Sequence, residues 1–313
     1  MSGLIEEPQR VVEALARIPG FEGTRPGDFT LERQGGLTNL VYKLAFGDGR
    51  CFILRIPGKG TEAYIDRVVE LHNARVAAEA GVSAEVIYGD ADSGLMLTRC
   101  IDGIVTMSPE KFRERAGAPA RAAEALKRMH GCGKEFRFRF ELFAMIDDYL
   151  AVLDRQQAKL PEGYHGVVEA AQPLRAALDA NPLPLAPCHC DPLCENFLDD
   201  GRRMWIVDWE YSGMNDPLWD LGDVSVEAGF DAAQDREMME AYCGGAPSPA
   251  LMGRMVIYKA LCDLLWTLWG LIQHADGNPV DDFWAYAVNR FERCQKLMRD
   301  PAFAGHVAAV TKG

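Results

Sequence analysis

The hydrophobic pattern of this chain changes character near residue 100, and that change limits the fold more than any other feature. Before it, short runs rich in apolar and β-branched residues are separated by glycine turns. They are Phe29 to Arg33, Asn39 to Phe46 and Cys51 to Ile56, with Gly35-Gly36 and Gly47-Asp48-Gly49 between them. This spacing predicts consecutive β-hairpins. Val86 to Tyr88 and Leu95 to Thr98 predict two more strands around the turn Gly89 to Gly94. Two helices are also predicted: Glu6 to Ile18, stopped by Pro19-Gly20, and Tyr64 to Ala80, stopped by Gly81. Apolar Ile65, Val68, Val69, Leu71 and Val76 define the second.

Beyond Asp102-Gly103 the pattern turns helical. Ser108-Pro109-Glu110 is a helix start, with a cap, a proline and an acid in order. Helical spacing continues to Ala180. Pro182, Pro184 and Pro187 then impose an extended segment, short strands surround Asp199-Asp200-Gly201, and helices return from about Asp231. The expected fold is α+β, with an antiparallel sheet and one inserted helix in residues 1–100 and a mainly helical region over 101–313.

Composition narrows the function. A net charge of −13 over 313 residues disfavours nucleic acid as a partner and is compatible with a cationic small molecule. The nine cysteines are odd in number and lie scattered in apolar stretches, which predicts reduced thiols, a cytoplasmic protein and no disulfide framework. Cys188, Cys190 and Cys194 flank His189, but no second ligand pair follows at zinc spacing. Met1 to Arg10 is polar and acidic, so no signal peptide is expected. Leu251 to Ile272 is the most apolar segment. It contains Arg254, Lys259 and Asp263, which predicts a buried helix and no membrane span.

The chemistry concentrates between His189 and Asp208. If Phe197-Leu198 and Trp205 to Val207 pair across the turn Asp199-Asp200-Gly201-Arg202, Asn196 and Asp208 are equally distant from its centre. They would then sit opposite each other at the open end of a hairpin. An amide oxygen beside a carboxylate suits Mg²⁺. Asp191 stands five residues before Asn196 on a proline loop. A second carboxylate near such a metal can orient and deprotonate an attacking hydroxyl.

His189-x-Asp191-x-x-x-x-Asn196, followed by Asp208 at the end of the next strand, resembles the protein-kinase-like phosphotransferases, which include aminoglycoside phosphotransferases and choline kinases. The resemblance implies a two-lobed fold, with ATP as co-substrate and Mg²⁺ as cofactor. Asp191 would be the catalytic base, and Asn196 and Asp208 the metal ligands. Gly35-Gly36-Leu37-Thr38-Asn39 looks like the loop over the ATP phosphates. Arg55 interrupts an apolar strand and needs a partner. By resemblance it binds the α- and β-phosphates and pairs with Glu70, or else Glu79. Thr98 to Ile101, including Cys100, would be the hinge at adenine. Asp220, and His189 with it, would be structural and brace the catalytic loop.

The acceptor is sought further on. Asp263, Trp266 and Trp269 share a broad face of one predicted helix, a set that suits a quaternary ammonium ion. Asp208-Trp209-Glu210-Tyr211, with Asn215, Trp219-Asp220 and Glu227, resembles the choline/ethanolamine kinase signature, and Trp266-x-x-Trp269 resembles that family's choline-pocket helix. Leu54 to Glu62 looks like the bacterial choline kinases in particular. The resemblance places Tyr211, Glu227, Trp266 and Trp269 at the substrate, with Glu210 and Asp263 as further candidates. The implied reaction is phosphorylation of a small cationic alcohol, choline first. Ethanolamine, an aminoglycoside, and a catalytically inactive ligand-binding kinase fold are the alternatives.

Overall fold

A computed structural model describes residues 7–34, 39–58 and 65–313. Gly35, Gly36 and Thr38 of the expected phosphate loop lie outside them. So do Glu6 and Tyr64, where two helices were expected to begin. The chain divides into two compact units: Met1–Ile104 with Trp205–Tyr211, and Val105–Met204 with Ser212–Gly313.

In the first unit, α1 (Glu7–Leu15) precedes β1 (Phe29–Arg33), β2 (Asn39–Phe46), β3 (Cys51–Pro57), α2 (Arg67–Glu79), β4 (Val86–Asp90) and β5 (Leu95–Arg99). The strands form one antiparallel sheet in the order β1-β2-β3-β5-β4. Its core joins Val11, Leu15 and Ile18 to Tyr42, Leu44, Phe52, Leu54, Leu95 and Leu97. Phe21 closes the edge, meeting Phe52 edge-on at 5.3 Å between ring centres. Burying each such side chain contributes roughly 1.5–3 kcal/mol.

Two details depart from the sequence reading. Helix α2 starts at Arg67 because Asp66 caps it, accepting hydrogen bonds from the backbone N–H groups of Val68 and Val69. Its inward face is polar in the first two turns and apolar after them, with Ala74, Val76 and Ala77 also buried. Arg67, Glu70 and Asn73 are buried, whereas Val68, counted above among the apolar positions, is 52% exposed. The second departure is a correction: Cys51 and Cys100 form a disulfide, with Cα atoms 5.3 Å apart. The β3–β5 register explains it. Phe52 faces Arg99, so Cys51 and Cys100 are the next pair along, and the Cys100 N–H donates to the Cys51 carbonyl at 3.1 Å. The other seven cysteines are free thiols.

The second unit carries short strands β6 (Val105–Thr106), β7 (Ala186–Cys188), β8 (Phe197–Asp199), β9 (beginning at Met204) and β10 (Gly213–Asn215). Helices α3 (Pro109–Glu114), α4 (Ala118–His130), α5 (Leu142–Arg155) and α6 (Tyr164–Ala180) come before the catalytic stretch. After it come α7 (Leu218–Ala228), α8 (Ala232–Cys243), α9 (Pro249–Ala275), α10 (Phe283–Met298) and α11 (Phe303–Lys312). Strand β7 pairs antiparallel with β10, and β6 with β8. The α+β class expected above holds, with the sheet first and the helices after.

Helix α9 is long and apolar enough to cross a membrane by length and composition, yet 78% of its most apolar window is buried inside the protein. It is the core helix on which α7, α10 and α11 pack. Helix α7 begins well before Asp231, where the sequence reading resumed helices. It is buried from Leu218 to Ser225 and so shows no apolar stripe. Gly222 permits the packing: a Cβ there would stand 2.8 Å from the Met255 carbonyl oxygen and from the Tyr258 Cβ.

Candidate active site

The catalytic loop is built around a buried aspartate. Asp220, at the start of α7, is fully buried and accepts the backbone N–H of His189 at 2.7 Å and that of Cys190 at 2.9 Å. His130 Nε2 lies 3.0 Å from the same carboxylate, and its Nδ1 meets Tyr242 Oη at 2.9 Å. Trp219 Nε1 donates to the Cys190 carbonyl at 3.1 Å. Cys190 is held at φ +66°, a left-handed conformation that non-glycine residues adopt only when their surroundings over-determine it. His130 and Tyr242 were not singled out from the sequence, and Trp219 only as part of the signature around Asp220. Only the fold brings them to this loop.

The bracing fixes Asp191, which is partly exposed. Its own carbonyl accepts the N–H of Leu193 at 2.8 Å and the Nδ2 of Asn196 at 3.1 Å. The amide of Asn196 is thereby oriented, with its oxygen as the remaining acceptor. The following turn is anchored by Asp199, fully buried and bound by Arg115 at 2.6 Å and Arg121 at 2.8 Å. Burial opposes its ionisation, but the two arginines hold its pKa below the usual carboxylate range. Cys190 and Cys194 are buried, and burial foremost pushes both thiols up, so they stay protonated. That disfavours oxidation, which begins from the thiolate.

In the first unit Arg55 on β3 meets Glu70 on α2, not Glu79. Burial alone would lower the Arg55 pKa, but Glu70, Asp208 and Glu210 raise it overall. Burial pushes Glu70 upward, yet Arg55 and Arg67 hold it below the ordinary value. Asp208 lies 3.8 Å from Arg55 at φ +68°, with 40% of its side chain exposed. Glu210, considered for the acceptor, stands in this unit, 3.3 Å from Asn39 and 3.7 Å from Arg67. Burial first, then Asp208 and Glu70, push its pKa up to about 7. Oxygens of Glu70, Asp208 and Glu210 come within 4.8 Å of one another. Such hard oxygen donors fit Mg²⁺, and Asp208 is the exposed member. Thr98 lies on β5 opposite Ile53, Cys100 is held in the disulfide, and Ile101 follows in irregular structure. Tyr211 is half-buried in the same unit.

The remaining acceptor residues gather in the second unit. Trp266 is buried and Trp269 half-buried, their rings edge-on at 6.4 Å. Trp269 also meets Phe283 at 5.6 Å and Tyr286 at 5.9 Å. Gly270 allows that seating, since a Cβ there would stand 2.6 Å from the Tyr286 ring. Asp263 has a structural job: Arg290 holds it at 3.1 Å and Arg293 at 3.0 Å. Arg290 also binds Glu227 and lies over the Tyr286 ring at 4.7 Å. Burial and the Asp191 charge push Tyr149 up to about 12, and Asp191 also acts on Tyr286 and Asp223. Tyr149, Asp223 and Tyr286 therefore belong to the surroundings of Asp191. The aromatic and charged residues after Phe283 carried no motif, so sequence reading passed over them.

Residues 30–255 match the model of the phosphotransferase enzyme family. The crystal structure of a choline/ethanolamine kinase family protein from Mesorhizobium loti is 61% identical, with a TM-score of 0.89 over 97% of this chain and 99% of that one. The chain belongs to the choline/ethanolamine kinase family of phosphotransferases. The choline kinase LicA from Streptococcus pneumoniae is 28% identical, with a TM-score of 0.72 over 86% of this chain and 93% of its own. Ethanolamine kinase 2 from Mus musculus is 26% identical over 79% of this chain and 70% of its length. The family member described here is thus a phosphotransferase acting on an alcohol, of the small amino-alcohol kinase kind.

Proposed function

We propose that the protein transfers the γ-phosphoryl group of ATP to the hydroxyl of choline. The observation that carries the choice is the aromatic wall of Trp266, Trp269, Phe283 and Tyr286 beside buried carboxylates in the unit that contains Asp191. Ring faces attract a methylated ammonium by up to about 2 kcal/mol each when water is excluded.

In the mechanism, Arg55 neutralises the α- and β-phosphates while Glu70 keeps its guanidinium in place. Asn196 and Asp208 are the proposed oxygen ligands for Mg²⁺, which would shield the charge of the phosphates when bound. Asp191 accepts the hydroxyl proton as the oxygen attacks in line, so no covalent enzyme intermediate is formed. Asp220, by fixing the N–H groups of His189 and Cys190, keeps Asp191 aimed. Turnover measured side by side with choline, ethanolamine and kanamycin tests this. Choline should give the highest kcat/KM. Acceptor-dependent ADP release from none of them would end the proposal.

Ethanolamine is the second reading. It is supported by the Mus musculus relative and by the unpartnered oxygen of Asp223, which could accept an N–H.

A further inference from the structure

We infer that Asp223 is the carboxylate that balances the acceptor's positive charge, and that Asp223 rather than Glu227 sets the preference for a cationic alcohol over a neutral one. The inference rests on the amino-alcohol reading above and deepens it.

Glu227 was the carboxylate expected at the cation, but its charge is already engaged. Arg290 is buried and divides its guanidinium between Glu227 and Asp263, while Arg293 binds Asp263 as well. Two guanidiniums thus answer two carboxylates, and the set is neutral. Asp223 lies one turn before Glu227 on α7 and is left over. It is completely buried, and its Oδ1 accepts the Cys262 thiol at 2.9 Å. Its Oδ2 is buried with no hydrogen-bond partner among the described residues. Buried carboxyl oxygens are almost always paired, so this one calls for a partner, and a cationic ligand would supply it. The Asp223, Glu227 and Cys262 ligand atoms all lie within 4.8 Å of one another, but Cys262 keeps its proton, because burial foremost raises its pKa. A protonated thiol does not suit a metal, so an organic cation is the fitting occupant.

The groups acting on Asp223 come from several elements: Glu227 shares its helix, Cys262 lies on α9, Arg290 lies on α10, and Asp191 acts from the loop after β7. Asp263 and Arg293 act through Arg290 and its pairing. Burial first, then Glu227 and Asp191, hold the Asp223 carboxyl well above the ordinary range, with Arg290 opposing them. In the empty site Asp223 therefore carries its proton. An arriving ammonium takes that proton's place: the O–H bond of Asp223 ionises, the proton passes to solvent, and the carboxylate faces the cation. The sign follows directly. A carboxyl whose pKa is raised in the empty site and lowered by the cation makes cation binding tighten as pH rises. A neutral alcohol of the same shape gains nothing.

The test compares choline, ethanolamine and the neutral isostere 3,3-dimethylbutan-1-ol as acceptors for the wild-type enzyme, Asp223→Asn and Asp223→Glu. Asp223→Asn keeps the shape and removes the charge. It should cut kcat/KM for choline and ethanolamine by about 30-fold or more, mostly through KM, and change the isostere far less. Asp223→Glu should recover part of the preference. An Asp223→Asn enzyme that keeps the wild-type ratio of choline to isostere overturns the inference. A wild-type enzyme that phosphorylates none of the amino alcohols overturns the amino-alcohol reading instead. Should Asp223→Asn fail to fold, calorimetry on the wild type in two buffers of different ionisation enthalpy decides. Choline binding should release close to one proton per site and the isostere none, and equal release would overturn the inference.

Discussion

Two charge clusters, one in each compact unit, are assembled from the same stock of three carboxylates and two arginines. In the first, Glu70, Asp208 and Glu210 surround Arg55 and Arg67. In the second, Asp223, Glu227 and Asp263 surround Arg290 and Arg293. Each holds one more acid than base, and what differs is the exposure of Asp208 and of Asp223. Asp208 has 40% of its side chain exposed, whereas Asp223 is fully buried. An exposed carboxylate exchanges its hydration for a metal and its phosphates at small cost. A buried one cannot stay charged alone, so it holds a proton until a cation arrives. Under the reading proposed above, identical formal charge would serve the nucleotide in one unit and the acceptor in the other, with burial deciding between them.

The largest expected effect lies outside both clusters and sets the scale for them. Asp191→Ala should lower kcat by about 10²–10⁴-fold while leaving the choline KM nearly unchanged. A comparable loss in KM would mean that Asp191 binds the acceptor rather than activating it. Next, Arg55→Ala leaves Glu70 with Arg67 as its remaining counter-charge and should destabilise the protein by roughly 1–3 kcal/mol, read as a lowered midpoint in urea, together with a raised KM for ATP. The paired change Arg55→Met with Glu70→Met should recover much of the stability and none of the ATP affinity. A double variant as unstable as the single would show that packing, not charge, ties β3 to α2.

Reduction of Cys51–Cys100 closes the first unit's side of the comparison. The bond spans 49 residues, and its loss should cost roughly 2–4 kcal/mol, seen as a lower Tm with dithiothreitol or in Cys51→Ser. An unchanged Tm would show that the strand register alone holds this edge. The aromatic wall comes last, because its two tryptophans are expected to differ and Trp269 carries the smallest effect. Trp269→Ala should raise the choline KM by up to about 30-fold, equivalent to about 2 kcal/mol. Trp266→Ala, at a buried position, should cost about 3–5 kcal/mol of stability instead. Equal KM effects without unfolding would place both rings against the substrate.

The strands of the first unit were legible almost residue by residue, because hairpins write their period and their glycine turns into local sequence. The motif from His189 to Asp208 was equally plain. Helix α7 was not: it is buried all round and presents no stripe. The polar inner face of α2 was misjudged for a related reason, since Arg55 on a neighbouring strand draws Glu70 inward and turns Val68 to solvent. The Cys51–Cys100 bond needed the β3–β5 register, which composition does not contain.

By itself the sequence determined the fold class and the family, and it named the residues proposed for phosphoryl transfer, because these depend on local period and on fixed spacings along the chain. Which carboxylates are engaged by arginine was decided only in the tertiary structure. Arg290 and Arg293 reach Asp263 across the contact of α9 and α10, Arg290 reaches Glu227 as well, and Asp223 is left unpaired beside them. Electrostatic pairing depends on distance and burial, and residues 27 to 63 positions apart acquire both only when the helices pack.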